Sequence, residues 1–157
     1  MKKITKRNGF TLIELIIVMV ILGIMAAVAV PKYLDSISNA EESAEDAVIS
    51  AIRSGLKQAA SNSLYTNGRA SWPTDPFEAL SEKPAGHTDQ ANMADVDGEW
   101  TFIIMYDLDD LDAQKIGQIT HQRADNSRYT WNYNAGTQTG DKAEVGTLGQ
   151  RTTVEQE

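Results

Sequence analysis

The chain has 157 residues, enough for one domain with appendages, and it contains no cysteine. That absence excludes a disulfide framework, thiol catalysis and cysteine-ligated zinc. The formal net charge of -8 argues against general electrostatic binding to nucleic acid or to anionic lipid. The apolar residues are concentrated in a block near the N-terminus, and the rest of the chain is polar.

The apolar block runs from Phe10 to Val30 and reads FTLIELIIVMVILGIMAAVAV, with Glu14 as its single ionisable residue. As a helix it would span roughly 30 Å, about the thickness of a bilayer core. Basic residues, with no acidic one among them, precede it at positions 2, 3, 6 and 7. The positive-inside rule therefore predicts one membrane span with a cytoplasmic N-terminus. Cleavage near Ala29, as in a secretory signal, is an alternative, although helical patterning continues past Tyr33.

An amphipathic pattern follows the apolar block and predicts that one helix continues from Phe10 to about Ser61. Pro31 should bend this helix because proline lacks an N–H and crowds the preceding turn, and Gly23 adds a second weak point. Gly68 closes the pattern. The predicted apolar stripe consists of Leu34, Ile37, Ala40, Ala44, Ala47, Val48, Ala51, Ile52, Leu56, Ala59 and Ala60. The other faces are expected to carry Asp35, Glu41, Glu42, Glu45 and Asp46.

Residues 62–98 have no sustained period and are predicted to form an irregular region anchored to the helix by Trp72, Phe77 and Leu80. The segment DPFEAL can begin a short helix, with Asp75 as its cap and Pro76 at its first position.

The C-terminal region, residues 99–157, predicts an antiparallel sheet of three or four strands. EWTFIIMYDL is the strongest strand, and QITHQR and RYTWNYN form a hairpin around ADNS. Between these strands, DLDDLDAQKIG predicts a short helix that stops at Gly117. The tail either adds an edge strand near KAEVGTL or stays loose. Tyr129, Trp131 and Tyr133 alternate on one face and are expected in the core rather than on a sugar- or nucleic-acid-binding platform.

Acidic residues and histidines are the candidate metal ligands and catalytic groups of this chain. Asp107, Asp109, Asp110 and Asp112, and the segment DVDGE at 95–99, resemble a calcium loop, but neither has the glycine and glutamate spacing of an EF-hand. Solvated acids and helix caps are favoured, and calcium stays open as the alternative. His87 and His121 have no motif around them and are expected to be structural or exposed. No catalytic constellation is recognisable, so the chain is not predicted to be an enzyme, and no cofactor is expected.

The segment KRNGFTLIELIIVMVILGIMAAVAVPKY closely resembles the N-terminus of type IV prepilins and type II secretion pseudopilins. The resemblance implies that a prepilin peptidase cuts between Gly9 and Phe10 and methylates the new amine of Phe10. It also implies that Glu14 neutralises that amine on a neighbouring subunit during assembly, because an intramembrane carboxylate needs a partner. The alternative for Glu14 is a carboxylate near the interface, stabilised by the helix N-terminus.

Removal of residues 1–9 would leave ten basic against 22 acidic residues, a net charge of -12. The resemblance also implies a fold class of α+β, the pilin fold, with a long helix packed on a small antiparallel sheet. Many bacterial pilins close a C-terminal loop with a disulfide, which this cysteine-free chain cannot form.

The predicted organisation has five parts. These are a leader (1–9), a transmembrane or filament-core helix (10–30), its amphipathic continuation (31–61), a helix-to-sheet region (62–98), and the sheet with its tail (99–157).

The predicted function is a structural subunit of a type IV pilus that polymerises through its N-terminal helix. The alternatives are a pseudopilin of a type II secretion system and a minor pilin that binds DNA or a surface. Expected partners are copies of the chain itself, the peptidase, the membrane, and an inner-membrane assembly platform with its ATPase. The expected location is the inner membrane before assembly and an extracellular pilus or periplasmic pseudopilus after it.

Overall fold

One long helix, α1 (Leu12–Asn67), begins the fold and is followed by a short 3-10 helix and four strands. The computed structural model describes residues 9–105, 116–136 and 146–154. Within these ranges the 3-10 helix is Pro76–Ala79, and the strands are β1 (Trp100–Met105), β2 (Ile116–Gln122), β3 (Arg128–Asn134) and β4 (Thr147–Val154). The chain divides into two units, Met1–Ser43 and Ala44–Glu157. The second unit is called the head below.

The first unit contains the apolar part of α1. From Phe10 to Leu34 its large apolar side chains are all exposed, and Phe10 is 88% exposed. A window of this helix with a mean hydropathy of 2.9 makes it long and apolar enough to cross a membrane. The helix is continuous through Gly23 and Pro31. A bend at these two residues stays a prediction.

The helix ends later than the sequence predicted, at Asn67 rather than near Ser61. Gly68 has a φ of 71°, and its N–H donates to the carbonyl of Leu64 at 3.0 Å. This left-handed residue is a typical helix stop, and glycine adopts it without steric cost. Polar residues such as Asn62 and Thr66 therefore extend the helix by more than a turn, because the stop is set by Gly68 and not by the loss of apolar residues.

The sheet of the head is antiparallel, with its strands in the order β1-β2-β3-β4. The fold class is therefore α+β as predicted, and both the strand in EWTFIIMYDL and the hairpin around ADNS are confirmed. Gly117, expected to end a helix, lies in β2 opposite Ile104. A Cβ at this position would overlap the ring of Phe102, so glycine here permits close packing between neighbouring strands. The edge strand begins at Thr147, near the end of the segment KAEVGTL, so the first of the two alternatives for the tail is the one observed there.

The core lies between the sheet and the head portion of α1. Its helix residues are Ile49, Ile52 and Leu56, of which Ile52 and Leu56 belong to the predicted stripe and Ile49 does not. Ala44, Ala47 and Ala51 are exposed, because alanine gains little from burial and the larger side chains determine which face is covered. The other members of the core are Phe77, Trp100, Ile119, Trp131, Tyr133 and Ala135, with Trp72 and Leu80 packed against them. The aromatics of β3 are thus core residues, as predicted.

Candidate assembly site

Glu14 lies in the first turn of α1 and caps the start of the helix together with Thr11. The Glu14 Oε2 atom accepts hydrogen bonds from the backbone N–H of Thr11 at 2.8 Å and from its hydroxyl at 2.7 Å. In return, the N–H of Glu14 donates to the Thr11 hydroxyl at 3.4 Å. This reciprocal pair is a capping box, and the T-x-x-E pattern in the sequence was the signal that could have revealed it. Both bonds to the carboxylate end on Oε2, and Oε1 takes part in neither.

The predicted cleavage site precedes this cap. Gly9 and Phe10 are exposed and come before the helix begins at Leu12. A Cβ placed on Gly9 meets no atom within 4 Å, so packing among the described residues does not require glycine there. The peptide between Gly9 and Phe10 therefore lies in an exposed segment that precedes the helix, about one turn from Glu14. Cleavage, methylation and the assembly role of Glu14 remain predictions.

The apolar surface of α1 has a clear limit within the chain. In α1, all of which is described, the buried residues begin at Glu45. The large apolar side chains from Leu12 to Leu34 are therefore left exposed by the part of the chain that the structure describes. An exposed apolar surface of this length marks contact with lipid or with other protein molecules.

Glu45 is the main feature of the head that the sequence did not predict. It was expected on a solvent-facing side of the helix, but it is fully buried, since it lies one turn before Ile49 on the same face. Arg123 Nε donates to Glu45 Oε1 at 2.6 Å, and the other end of the guanidinium donates to Oε2 at 2.7 Å. His121 Nδ1 lies 3.0 Å from Oε1. Because an ionised carboxylate only accepts hydrogen bonds, Nδ1 carries the proton.

Neighbouring side chains stabilise the ionised form of Glu45. Burial opposes the ionised form, but the hydrogen bonds and charges of Arg123 and His121 outweigh it and lower the pKa of Glu45 to about 2. Arg151 Nε adds a contact at 3.4 Å to Oε2, and Arg151 also pairs with Asp46. The Arg123 guanidinium lies 4.0 Å from the ring centroid of Tyr129, a cation–π contact. We call Glu45, His121, Arg123 and Arg151 the buried charge cluster.

The two histidines have structural partners. The ring of His121 stacks on Trp100 with centroids 4.2 Å apart, and Trp100 stacks on Trp131 at 5.6 Å. His87 packs against Phe77 at 4.4 Å and contacts Asp89 through Nε2 at 3.1 Å. The expectation that both are structural or exposed is therefore met by packing within the head.

The irregular region is anchored as the sequence predicted. Asp75 Oδ1 accepts from the N–H of Phe77 at 2.8 Å and caps the 3-10 helix, with Pro76 at its first position. Phe77 is fully buried in the core. The hydroxyl of Tyr133 donates to the carbonyl of Pro73 at 2.6 Å, and burial raises the pKa of that hydroxyl above its usual range.

The acidic segment 95–99 is organised by Glu99. The Glu99 carboxylate accepts from the Thr88 hydroxyl at 2.6 Å and from the N–H groups of Asp95 and Val96 at 2.9 and 3.3 Å. These bonds, the Thr88 hydroxyl first, lower the pKa of Glu99. Glu99 therefore stabilises the turn at residues 95–99. Among the described residues no cluster of three potential metal ligands is found. The calcium candidates Asp107, Asp109, Asp110 and Asp112, like the helix predicted beside them, lie outside those residues.

Residues 4–30 match the family described as the prokaryotic N-terminal methylation motif. The type IV narrow pilus major component PilA5 of Thermus thermophilus is 49% identical over 49 residues, which are 31% of this chain and 42% of that protein. The type II secretion system core protein G of Vibrio cholerae is 36% identical over 86 residues, or 54% of this chain and 55% of that protein. The type IV major pilin protein PilE1 of Neisseria gonorrhoeae is 44% identical over 80 residues, covering 51% and 45%. No solved structure matches the chain.

The chain combines a prepilin-type N-terminal segment with a long helix and, among the described residues, a small antiparallel sheet. Its N-terminal part is similar to type IV pilins and to type II secretion pseudopilins. The chain spans about half the length of the curated relatives it matches. The helix that contains most of the matched segment is long and apolar enough to cross a membrane.

Proposed function

We propose that this chain is a structural subunit of a type IV pilus. It is made as a prepilin with a cytoplasmic N-terminus, cut between Gly9 and Phe10, methylated on Phe10, and held in the inner membrane until it polymerises. A prepilin peptidase performs the first two steps, and an assembly platform with an ATPase extracts the subunit from the membrane. The filament then serves adhesion, motility or uptake.

The observation that carries this proposal is the combination of two features in one helix. The methylation motif at residues 4–30 includes the first part of α1, and the large apolar side chains from Phe10 to Leu34 are exposed. Lipid covers these side chains in the membrane, and neighbouring helices cover them in a filament. Apolar side chains can exchange one cover for the other at low cost, because lipid tails are about as apolar as the side chains themselves.

In this proposal, Glu14 determines the register between neighbouring subunits. Cleavage creates a cationic amine on Phe10, and the Glu14 carboxylate of a neighbouring subunit pairs with it. The capping box holds the carboxylate at the helix start before assembly. A buried carboxylate and a buried amine are each costly alone and are stabilised as a pair.

Mass spectrometry of the mature N-terminus, with electron microscopy of sheared surface material, tests the proposal. The expected product begins at N-methylated Phe10 and occurs in long filaments. Because a Cβ at Gly9 meets nothing within 4 Å, Gly9→Val is a suitable variant that should block cleavage without disturbing the fold. An intact Met1 in the wild-type chain, or an N-terminus near Ala29, would contradict the proposal.

A pseudopilin of a type II secretion system is the second candidate. The matches to core protein G of Vibrio cholerae and of Pseudomonas aeruginosa cover 54% and 55% of this chain, more than the match to PilA5. The two functions share cleavage, methylation and helix-driven assembly. Short periplasmic filaments, together with loss of protein secretion on deletion, would favour this candidate over long surface pili.

A further inference from the structure

A groove in the head combines positive charge with apolar walls. It is a cavity of about 340 Å³, open to solvent, and its lining includes Arg53, Lys57, Trp72, Thr147 and Leu148. Lys57 is exposed, and Arg53 is fixed by donating to the carbonyl of Gly149 at 2.9 Å. We call this the basic groove. The groove is lined by two cations, an indole ring and a leucine. Such a surface can bind an apolar side chain that is flanked by carboxylates.

A turn of the same head has the complementary character. Val96 is 61% exposed and stands between the exposed Asp95 and Asp97. The turn is rigid, since Glu99 accepts the N–H groups of Asp95 and Val96 and Gly98 has a φ of 77°. We call residues 95–98 the Val96 turn. The segment of chain that contains this turn is acidic, since residues 75–99 include seven acidic residues and one lysine.

The two features lie at opposite corners of the sheet. The Val96 turn is attached by the N–H of Gly98, which donates to the carbonyl of Gln122 at 2.8 Å, and Gln122 pairs with Arg128 at the start of β3. The basic groove includes Thr147, which pairs with Asn134 at the end of β3. The length of β3 therefore separates them by roughly 20 Å. They are also at opposite edges, because the turn directly precedes the edge strand β1 while the groove borders the other edge strand, β4.

Opposite placement has a consequence for association. Two complementary surfaces at different corners of one molecule cannot contact each other within that molecule. Between copies they form a heterologous, head-to-tail contact, which repeats without closing unless its rotation forms a ring. The head part of α1 runs from Glu45, beside Arg123, to Lys57 at the groove, about 18 Å further along the helix. When two copies are displaced relative to each other along the helix axis, the Val96 turn of one copy comes near the basic groove of the other.

We propose that the Val96 turn of one copy docks in the basic groove of a second copy, with Val96 against Trp72 and Leu148, and Asp95 and Asp97 near Arg53 and Lys57. The inference rests on the proposed function and deepens it by naming a contact between heads in the filament. Opposite charges across such a contact steer association and select its register. The apolar contact excludes water around the ion pairs.

Cysteine crosslinking in filaments made by the full chain is the first test, and it is clean because the native sequence has no cysteine. Val96→Cys with Thr147→Cys should give, on mild oxidation, a ladder of covalently linked multimers. Either single variant should give no ladder. The matched control keeps Thr147→Cys and replaces Val96→Cys with Glu82→Cys, another exposed position of the acidic region. A double variant that forms filaments without a ladder overturns the proposal.

Charge reversal is the second test. Lys57→Glu and Asp97→Lys should each lower filament yield about fivefold, the equivalent of one modest ion pair, and the combined variant should recover most of the loss. Glu82→Lys is the control for adding positive charge. Normal yield from both single variants, as expected if another partner fills the groove, overturns the proposal. If the wild-type chain itself forms no filaments, the proposed function fails first and this contact fails with it.

Discussion

Glu45 and Arg123 form a two-bonded ion pair between the helix and the sheet, with nitrogen–oxygen distances of 2.6 and 2.7 Å. Both side chains are buried. Such a pair adds little net stability over apolar residues of the same shape, but removal of one partner leaves the other charge buried and unpaired. The pair therefore makes the docking of the helix on the sheet specific, and it makes the head sensitive to changes at one residue.

We expect Glu45→Gln to lower the free energy of unfolding of the head by about 3 kcal/mol, because Arg123 keeps its charge and loses its counterion. Urea denaturation of the detergent-solubilised full chain, followed by tryptophan fluorescence, measures this value. Glu42→Gln, an exposed position on the same helix, should change it by less than about 0.5 kcal/mol. Equal effects at both positions would show that the burial of Glu45 does not matter.

Acid should destabilise the head through the same residue. The pKa of Glu45 falls from an ordinary 4.5 to about 2 on folding, so the folded state holds fewer protons between these values. The contribution is complete above about pH 4.5, and it is lost as pH falls towards about 2, amounting to about 3 kcal/mol. Unfolding free energies at several pH values, for the wild type and Glu45→Gln, measure it as the difference between the two curves. Parallel curves across this window would contradict the assignment.

The two roles of Glu14 can be separated because its capping partner is known. Thr11→Ala removes the hydroxyl bonded to Glu14 and should weaken the helix start by about 1 kcal/mol while keeping the carboxylate. Glu14→Gln removes the charge that, in the proposed function, pairs with the Phe10 amine. Filament yield should fall strongly for Glu14→Gln and little for Thr11→Ala, with both monomers still in the membrane fraction. Equal losses would assign the effect to capping.

The packing of the sheet predicts different outcomes for two strand glycines. A Cβ at Gly117 would overlap the Phe102 ring and lie 2.5 Å from the carbonyl oxygen of Ile103. Gly117→Ala should therefore cost about 2 kcal/mol, because neither neighbour can move without disturbing the β1–β2 pairing. Gly149→Ala is the matched control, since its nearest atom would be 3.4 Å away. Thermal unfolding compares them, and similar melting temperatures would contradict the prediction.

The sequence predicted those elements whose signal is local. The apolar run beginning at Phe10 needs no tertiary context, and neither does the hairpin of β2 and β3, where alternating aromatics flank a polar turn. Asp75 before Pro76 is likewise a local cap signal, and the structure confirms it.

What the sequence did not reveal depends on distant residues. The burial of Glu45 is determined by Arg123, which is 78 positions away, and spacing on the helix cannot indicate it. The position of Gly117 in the sequence is typical of a helix stop, but the residue lies in a strand. Glycine is needed there because a side chain would overlap the ring of Phe102. The predicted stripe correctly included Ile52 and Leu56, but it missed Ile49 and included exposed alanines, because small apolar residues mark a helix face poorly.

The separation of Glu45 from Arg123 along the sequence also bears on the order of events during synthesis. The helix is made before the sheet, and the carboxylate of Glu45 can contact the guanidinium of Arg123 only after the chain has been made beyond β2. Until then the helix face at Ile49 and Ile52 has no sheet to cover it, so we expect the head to fold cooperatively and late. We expect a chain truncated before Arg123 to leave the head unfolded, because this ion pair forms only after most of the head has been synthesised.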